Sequence, residues 1–226
     1  MLLALTGLAG TGIAQQMPVK NLLILGDSHL KGYFGEFLHH RLHDIGKYNI
    51  LSIGIGGAGS KNFVLRLQNN CCGYKIRLTM AGQLIADQVP VLERSDKPTG
   101  EVIGKTYAGD LDTVLLRWHP DAVIIALGSN YVNAHQELLN ILKNYRDNIP
   151  YIWVGPFLRK NVTVRYKAIE KVLAENPNGF LVRSDDIVGH DTLSSAHYVG
   201  KTAQKWAYTV AERMQPYLDK VLFAAP

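Results

Sequence analysis

Short apolar segments alternate with segments of helical periodicity along most of the chain, and this alternation limits the possible folds most strongly. The first apolar segment, Asn21–Gly26, reads NLLILG and ends at a glycine. Such runs are typical of strands buried on both faces of a parallel sheet. Similar segments follow at Tyr48–Ile55, Asp121–Leu127, Tyr151–Val154 and Phe180–Arg183. Five strands alternating with helices predict an α/β fold, a three-layer α/β/α sandwich around a five-stranded parallel sheet.

Helical segments separate the predicted strands. They cover Leu30–Asp44, Lys61–Gln68, Leu111–Trp118, Ala134–Arg146, Val164–Glu175 and Val199–Leu218. Residues from about Asn69 to Thr106 break the alternation, and we interpret them as an insertion containing a hairpin or an irregular helix. The chain has 226 residues, of which 47% are hydrophobic, so it can bury a sizeable core and is not a disordered chain. We expect one domain over residues 17–226.

The N-terminal segment and the overall charge bear on location and partners. Residues 1–16 carry no charge and combine a leucine-rich stretch with small residues. This composition is typical of a signal-peptide remnant, although a flexible N-terminus has the same character, and it predicts an exported, periplasmic or secreted protein. The net charge of +5 is spread without a Lys/Arg block, so no nucleic-acid partner is expected. No apolar run reaches the roughly 18 residues of a membrane-spanning helix, so stable membrane insertion is not expected either.

Candidate functional residues lie where predicted strands end. Ser28 follows the first strand, a glycine-rich run containing Gly57 follows the second, and Asn130 follows the third. Right-handed crossovers bring the C-terminal ends of parallel strands to one rim of the sheet, where ligands bind in open α/β folds. His197 precedes the last predicted helix. A helix cap, a turn or a surface position would explain each residue alone, whereas their combination favours a site at the rim.

The motifs around these four residues resemble those of the SGNH (GDSL-type) hydrolase family. They are LGDSH at 25–29, GIGGAGS at 54–60, ALGSN at 126–130 and AHYVG at 196–200. The resemblance extends from about Asn21 to Tyr217, apart from the insertion. It implies a flavodoxin-like α/β/α domain and an esterase that needs no metal and no cofactor.

The resemblance also implies a role for each residue. Ser28 would attack the ester carbonyl, and His197 would accept the serine proton and return it to the leaving alcohol. The oxyanion would be held by the backbone N–H groups of Ser28 and Gly57 and by the side chain of Asn130. These five groups predict hydrolysis of a carboxylic ester.

One position departs from the family pattern. The family places an aspartate three residues before the catalytic histidine, and Ser194 occupies that position here. Asp191 is the nearest upstream carboxylate, and a shifted loop that brings it to His197 makes it the predicted third catalytic residue. A backbone carbonyl that orients the ring, or an enzyme of low activity, are the alternatives.

The sequence leaves the substrate and three other functions open. We expect a small acyl-ester substrate, with acetyl groups on a cell-envelope polysaccharide such as O-acetylated peptidoglycan favoured by the predicted export and the positive charge. An acyltransferase would use the same residues. Asp27-x-His29 after a strand is also the ligand pattern of a metallophosphoesterase, and loss of the aspartate would suit a non-catalytic glycan-binding domain. Cys71 and Cys72 have no further Cys or His at ligand spacing, so no metal site is expected from them.

Overall fold

A computed structural model of the protein describes residues 18–65, 72–80, 101–104, 109–131, 133–157, 161–188 and 197–224. Within these ranges the chain forms seven strands and seven helices. In chain order they are β1 (Lys20–Gly26), α1 (Ser28–Lys31), α2 (Tyr33–Asp44), β2 (Tyr48–Ile55), α3 (Ser60–Val64), β3 (Tyr74–Thr79), β4 (Glu101–Gly104), α4 (Leu111–Trp118), β5 (Ala122–Ala126), α5 (His135–Tyr145), β6 (Tyr151–Phe157), α6 (Val162–Ala174), β7 (Gly179–Ser184) and α7 (Gly200–Phe223).

The strands form one sheet with the order β4-β3-β2-β1-β5-β6-β7. The predicted parallel strands are confirmed, because β1 pairs in parallel with β2 and β5, β5 with β6, and β6 with β7. The predicted total of five strands was too low. The insertion contributes β3, antiparallel to β2, and β4, antiparallel to β3. These two strands extend the sheet at one edge.

Helices cover both faces of this sheet. Successive residues of β1 point to opposite faces, and all four of its central aliphatic side chains are fully buried. Leu22 and Ile24 pack in the core formed with α1, α2 and α7, whereas Leu23 and Leu25 pack in the core formed with α3, α4, α5 and α6. Burial of each such side chain stabilises the fold by about 1.5–3 kcal/mol. The predicted three-layer sandwich is confirmed, and the unbroken apolar run of β1 is explained by its two buried faces.

The three central strands end at the same level. Gly26 of β1 lies opposite Gly54 of β2 on one side and opposite Ala126 of β5 on the other. The segments that follow these three residues therefore leave the sheet side by side at one rim. Among the described residues, the structure has no helix with the length and apolar character needed to cross a bilayer.

Candidate active site

Ser28 is the first residue of α1, directly beyond the end of β1. The side chain of Asp27 caps this helix, since its Oδ1 accepts the backbone N–H of His29 at 2.8 Å. Ser28 itself is partly buried. A Cβ on Gly54 would lie 2.3 Å from the backbone N of Lys31, so only glycine at this position lets α1 lie directly on β2. Gly54, the first glycine of the second motif, thus allows the helix that carries the candidate nucleophile to pack against the sheet.

The two middle glycines of the second motif have different roles. The N–H of Gly56 donates to the carbonyl oxygen of Gly73 at 2.8 Å, so it is used within the fold. Gly57 has a φ of +73°, a left-handed conformation that favours glycine. No acceptor for the Gly57 N–H is found in the part of the chain that the structure describes. This difference favours Gly57 over Gly56 as an oxyanion donor.

The side chain of Asn130 connects the three strand ends. Its Nδ2 donates to the carbonyl oxygen of Ala58 at 3.0 Å and lies 3.5 Å from Oδ2 of Asp27. Ala58 directly follows Gly57, and Asp27 directly precedes Ser28. Asn130 therefore contacts the chain neighbours of Ser28 and Gly57, the two other residues that the sequence proposed as oxyanion donors.

His197 lies three residues before α7, and its side chain is exposed. Its ring centroid is 4.9 Å from that of His29, the residue that follows Ser28. The His29 ring is in turn buried against Phe157 at 4.8 Å and Trp206 at 5.4 Å. His197 is thus seated on an aromatic cluster beside α1. Asp191, the predicted third catalytic residue, and Ser194 both lie outside the described residues.

Asp27 and His29 both have interactions within the fold. Both carboxylate oxygens of Asp27 face donors, the N–H of His29 and the amide of Asn130, and the His29 ring is packed among aromatic rings. Across the described ranges there is no group of three or more His, Cys, Asp or Glu side chains placed to hold a metal ion. Asp27 instead links the first motif to the third, a role that the sequence analysis missed because a buried helix cap and a metal ligand share the same Asp-x-His pattern.

A buried arginine on β3 binds the C-terminal end of α1. No motif in the sequence indicated this role. Arg77 on β3 is only 2% exposed, and its guanidinium donates to the carbonyl oxygens of Leu30 at 2.8 Å and Lys31 at 2.9 Å. These carbonyls are at the C-terminal end of α1, where helical partners are absent. Nothing in the isolated segment YKIRLT distinguishes a buried arginine from an exposed one, because the pairing depends on the distant α1.

The glycine-rich segment after β2 is also anchored by buried polar side chains. Ser60 and His135 form a hydrogen bond of 2.7 Å between Oγ and Nδ1, and both residues are almost fully buried. The Gly59 N–H donates to Oδ1 of Asn62 at 3.0 Å. Burial lowers the pKa of His135 from 6.5 to about 4, so this histidine is neutral near pH 7. These contacts tie the segment containing Gly57 to α3 and α5.

Comparison with protein-family models and with curated protein sequences gives no match. Among solved structures, the chain is similar to the family 3 carbohydrate esterase of Clostridium thermocellum, with a TM-score of 0.59, 12% identity, and coverage of 90% of this chain and 98% of that chain. It is also similar to the aryl esterase of M. smegmatis, with a TM-score of 0.52, 12% identity, and coverage of 88% and 99%.

A third structure, described as a GDSL-like lipase from Bacteroides ovatus, has a TM-score of 0.54 and 15% identity over 91% of this chain. The chain spans about half of that longer protein, covering 54% of its length. At these identities the similarity is one of fold. Together with the sheet order and the rim just described, it shows that the protein has the fold of the SGNH (GDSL-type) hydrolases.

Proposed function

We propose that this protein is a serine esterase that hydrolyses a short acyl ester, with Ser28 as nucleophile and His197 as general base. The observation that carries the proposal is the position of the Asn130 amide, which lies between Ala58 and Asp27 at the ends of β2 and β1. The esterase function of proteins with this fold supports it. In this proposal the N–H groups of Ser28 and Gly57 and the amide of Asn130 act together on one oxyanion at the rim, as hydrolysis through a tetrahedral intermediate requires.

The proposed reaction has two acyl-transfer steps. Oγ of Ser28 attacks the acyl carbon while His197 accepts its proton, and the carbonyl oxygen becomes an oxyanion. The intermediate collapses, the proton on His197 passes to the leaving alkoxide, and the acyl group remains on Ser28. A water molecule, deprotonated by His197, then attacks the acyl-enzyme, and His197 returns this proton to Oγ of Ser28 as the bond to the acyl group breaks and the acid is released. Atoms and charges balance without a metal or a cofactor.

The oxyanion interacts with three N–H donors in this scheme. The Gly57 N–H and the Ser28 N–H are backbone donors, whereas Asn130 contributes one N–H of its amide. The bond from Asn130 to Ala58 is 3.0 Å long, but the separation from Asp27 is 3.5 Å, at the limit of a hydrogen bond. We assign the N–H on the Asp27 side to the oxyanion, since this is the longer of the two contacts. Removing one such donor typically costs about 3–4 kcal/mol of transition-state stabilisation.

For the substrate we propose an acetyl ester on a carbohydrate, with an acetylated cell-envelope polysaccharide such as peptidoglycan as the physiological class. Similarity to carbohydrate esterases supports the sugar ester over a lipid. The uncharged residues 1–16 and the net charge of +5 support an exported protein that meets an anionic polysaccharide. Only the acceptor distinguishes hydrolysis from acyl transfer to a sugar hydroxyl, so the released acetate has to be measured together with any acetylated sugar product.

The test is turnover of p-nitrophenyl acetate in the presence and absence of a chelator, followed by labelling with a fluorophosphonate. We expect chelator-insensitive turnover and a single label on Ser28. Ser52→Ala is a matched control, because Ser52 is a buried serine hydrogen-bonded to His39 and should not affect labelling. Labelling of another residue, or chelator-sensitive cleavage of a phosphodiester, would contradict the proposal. Absence of all turnover with retained polysaccharide binding would identify a glycan-binding domain instead.

A further inference from the structure

An open groove lies beside Asn130, at the same rim as the candidate active site. It has a volume of about 430 Å³ and is lined by Asn130, Tyr131, Asn133, Asn161, Val164 and Arg165. This volume lies within the range of about 300–1,000 Å³ found for small-ligand sites. Because Asn130 belongs both to this groove and to the proposed oxyanion hole, a ligand in the groove is continuous with the reacting ester.

Tyr131 presents an aromatic surface to the groove. The residue is 60% exposed. One side of Tyr131 lies against the glycine-rich segment, since a Cβ on Gly59 would lie 3.1 Å from the Tyr131 Cβ and 3.4 Å from its Cδ2. Gly59 therefore lets the tyrosine approach the backbone, and the side chain has only two rotatable bonds to restrict when a ligand binds.

The polar groups of the groove are mostly carboxamides. Asn133 and Asn161 are exposed, and with Asn130 they place three side-chain amides around one opening. Each amide offers one acceptor oxygen and two N–H donors, which matches the paired donor and acceptor character of sugar hydroxyls. Most of the surface that the described lining residues expose is apolar, so the amides stand beside a face on which a ring can pack.

Arg165 sets the charge of the groove. Its Nη1 donates to the carbonyl oxygen of Gly128 at 2.6 Å, so the side chain is held between α6 and the third motif. The six lining residues include this cation and no carboxylate. A neutral or anionic ligand is therefore favoured over a cationic one.

From these observations we infer that the groove is a carbohydrate subsite, in which a pyranose ring of the acetylated substrate stacks on Tyr131 and bonds to Asn133 and Asn161. The C–H bonds on the face of a sugar ring carry partial positive charge and interact favourably with the negative face of an aromatic ring. The inference rests on the proposed esterase function for its kinetic test, and it adds to that function the residues that select the alcohol part of the substrate.

The kinetic experiment compares xylose tetraacetate with p-nitrophenyl acetate as substrates. We expect Tyr131→Ala to raise KM for the sugar acetate about tenfold with little change in kcat, while kcat/KM for p-nitrophenyl acetate stays within about twofold. Tyr131→Phe keeps the ring and should retain the wild-type KM. Asn161→Gly removes the amide and tolerates the φ of +65° at this position, and it should raise KM for the sugar acetate by a smaller factor. Asn140→Ala, an exposed amide on α5, is the control.

A binding experiment separates this inference from the proposed function. Ser28→Ala and the double variant Ser28→Ala/Tyr131→Ala are titrated with unacetylated xylohexaose, and binding is followed by NMR. We expect binding to the first and at least a tenfold weaker affinity of the second. If wild-type protein hydrolyses no ester but Ser28→Ala binds the oligosaccharide through Tyr131, the esterase proposal fails and the subsite remains. If Tyr131→Ala leaves the sugar-acetate KM unchanged, or lowers turnover of both esters equally, the subsite is refuted.

Discussion

Serine and histidine residues stand near one another in two very different regions of this molecule. In the core, Ser52 bonds to His39 and Ser60 bonds to His135, each through an Oγ to Nδ1 distance of 2.7 Å, and all four residues are at most 3% exposed. At the rim, Ser28 is only partly buried, and His197 is exposed and lies against the ring of His29. The core pairs are hydrogen-bonded, yet no ester can reach them.

The difference teaches that a serine–histidine hydrogen bond by itself does not indicate a nucleophile. Burial lowers the pKa of both core histidines, to about 4 for His135, so each is a weak base near pH 7. Neither core pair lies at the rim beside the proposed oxyanion donors. The proposed chemistry depends on access and on those donors, whereas the core pairs contribute to packing.

The largest expected effect separates the two regions directly. Ser28→Ala should lower kcat for p-nitrophenyl acetate by about 10⁴-fold or more, because the covalent route is lost. Ser52→Ala and Ser60→Ala remove fully buried, hydrogen-bonded hydroxyls and should each keep activity within about tenfold. Steady-state kinetics on the three variants, with circular dichroism to verify folding, check this. If Ser52→Ala or Ser60→Ala were as inactive as Ser28→Ala, the distinction between the rim serine and the core serines would be refuted.

A smaller loss is expected at the oxyanion donor. Asn130→Ala should lower kcat by about 10²–10³-fold with KM little changed, because the amide acts mainly in the transition state. Asn62→Ala is the matched control. Its side chain accepts the N–H of Gly59 at 3.0 Å and supports the glycine-rich segment without facing the proposed reaction centre. Equal losses in both variants would mean that Asn130 only holds the segment in place.

The orientation of His197 gives the third prediction. If Asp191 serves as its partner, Asp191→Asn should lower kcat by about a hundredfold, whereas Ser194→Ala should change little because a neutral acceptor stabilises the imidazolium less. The two kcat values measured side by side decide between the residues. The reverse ranking assigns the role to Ser194, and full activity of both variants indicates a backbone acceptor and a Ser28–His197 dyad.

The smallest expected effect is the pH dependence of the free energy of unfolding, which a histidine in the core causes. The folded-state pKa of His135 is lowered from 6.5 to about 4, so between these values the unfolded chain binds a proton that the folded chain does not. The free energy of unfolding should therefore be highest above about pH 6.5 and fall as the pH is lowered to about 4, by at most about 3 kcal/mol from this residue. The pKa of His39 is shifted in the same direction, chiefly by burial, and adds to the loss.

Urea denaturation at a series of pH values checks this dependence. His135→Gln should flatten part of the fall between pH 6.5 and 4. An unaltered slope in His135→Gln would show that the pair with Ser60 does not resist protonation.

Most of the central fold could be predicted from the sequence because its signals are local. The run NLLILG is apolar on both faces, and β1 is indeed buried on both faces. For the segment that contains β3 and β4, the sequence left a hairpin and an irregular helix as alternatives. Their residues mix polar and apolar character, and their place in the sheet depends on pairing with β2 rather than on local pattern.

The candidate site was predictable in its motifs but not in its supports. Ser28, Gly57 and Asn130 each follow a strand, and strand ends meet at a rim. Arg77 and His135 lie in segments without a motif, and their partners are far away in the chain. A sequence shows which residues stand at strand ends, whereas buried polar partners become evident only when distant segments are in contact.

The Asn130 amide has a consequence for how the protein folds. Its two contacts join residues that are 72 and 103 positions earlier in the chain. Contacts across such long loops cost closure entropy and form slowly compared with the local turns of a helix. The proposed oxyanion hole therefore exists only after β5 has docked beside β1. The appearance of esterase activity during refolding would accordingly mark completion of the central sheet, and it would lag behind the recovery of helical circular dichroism.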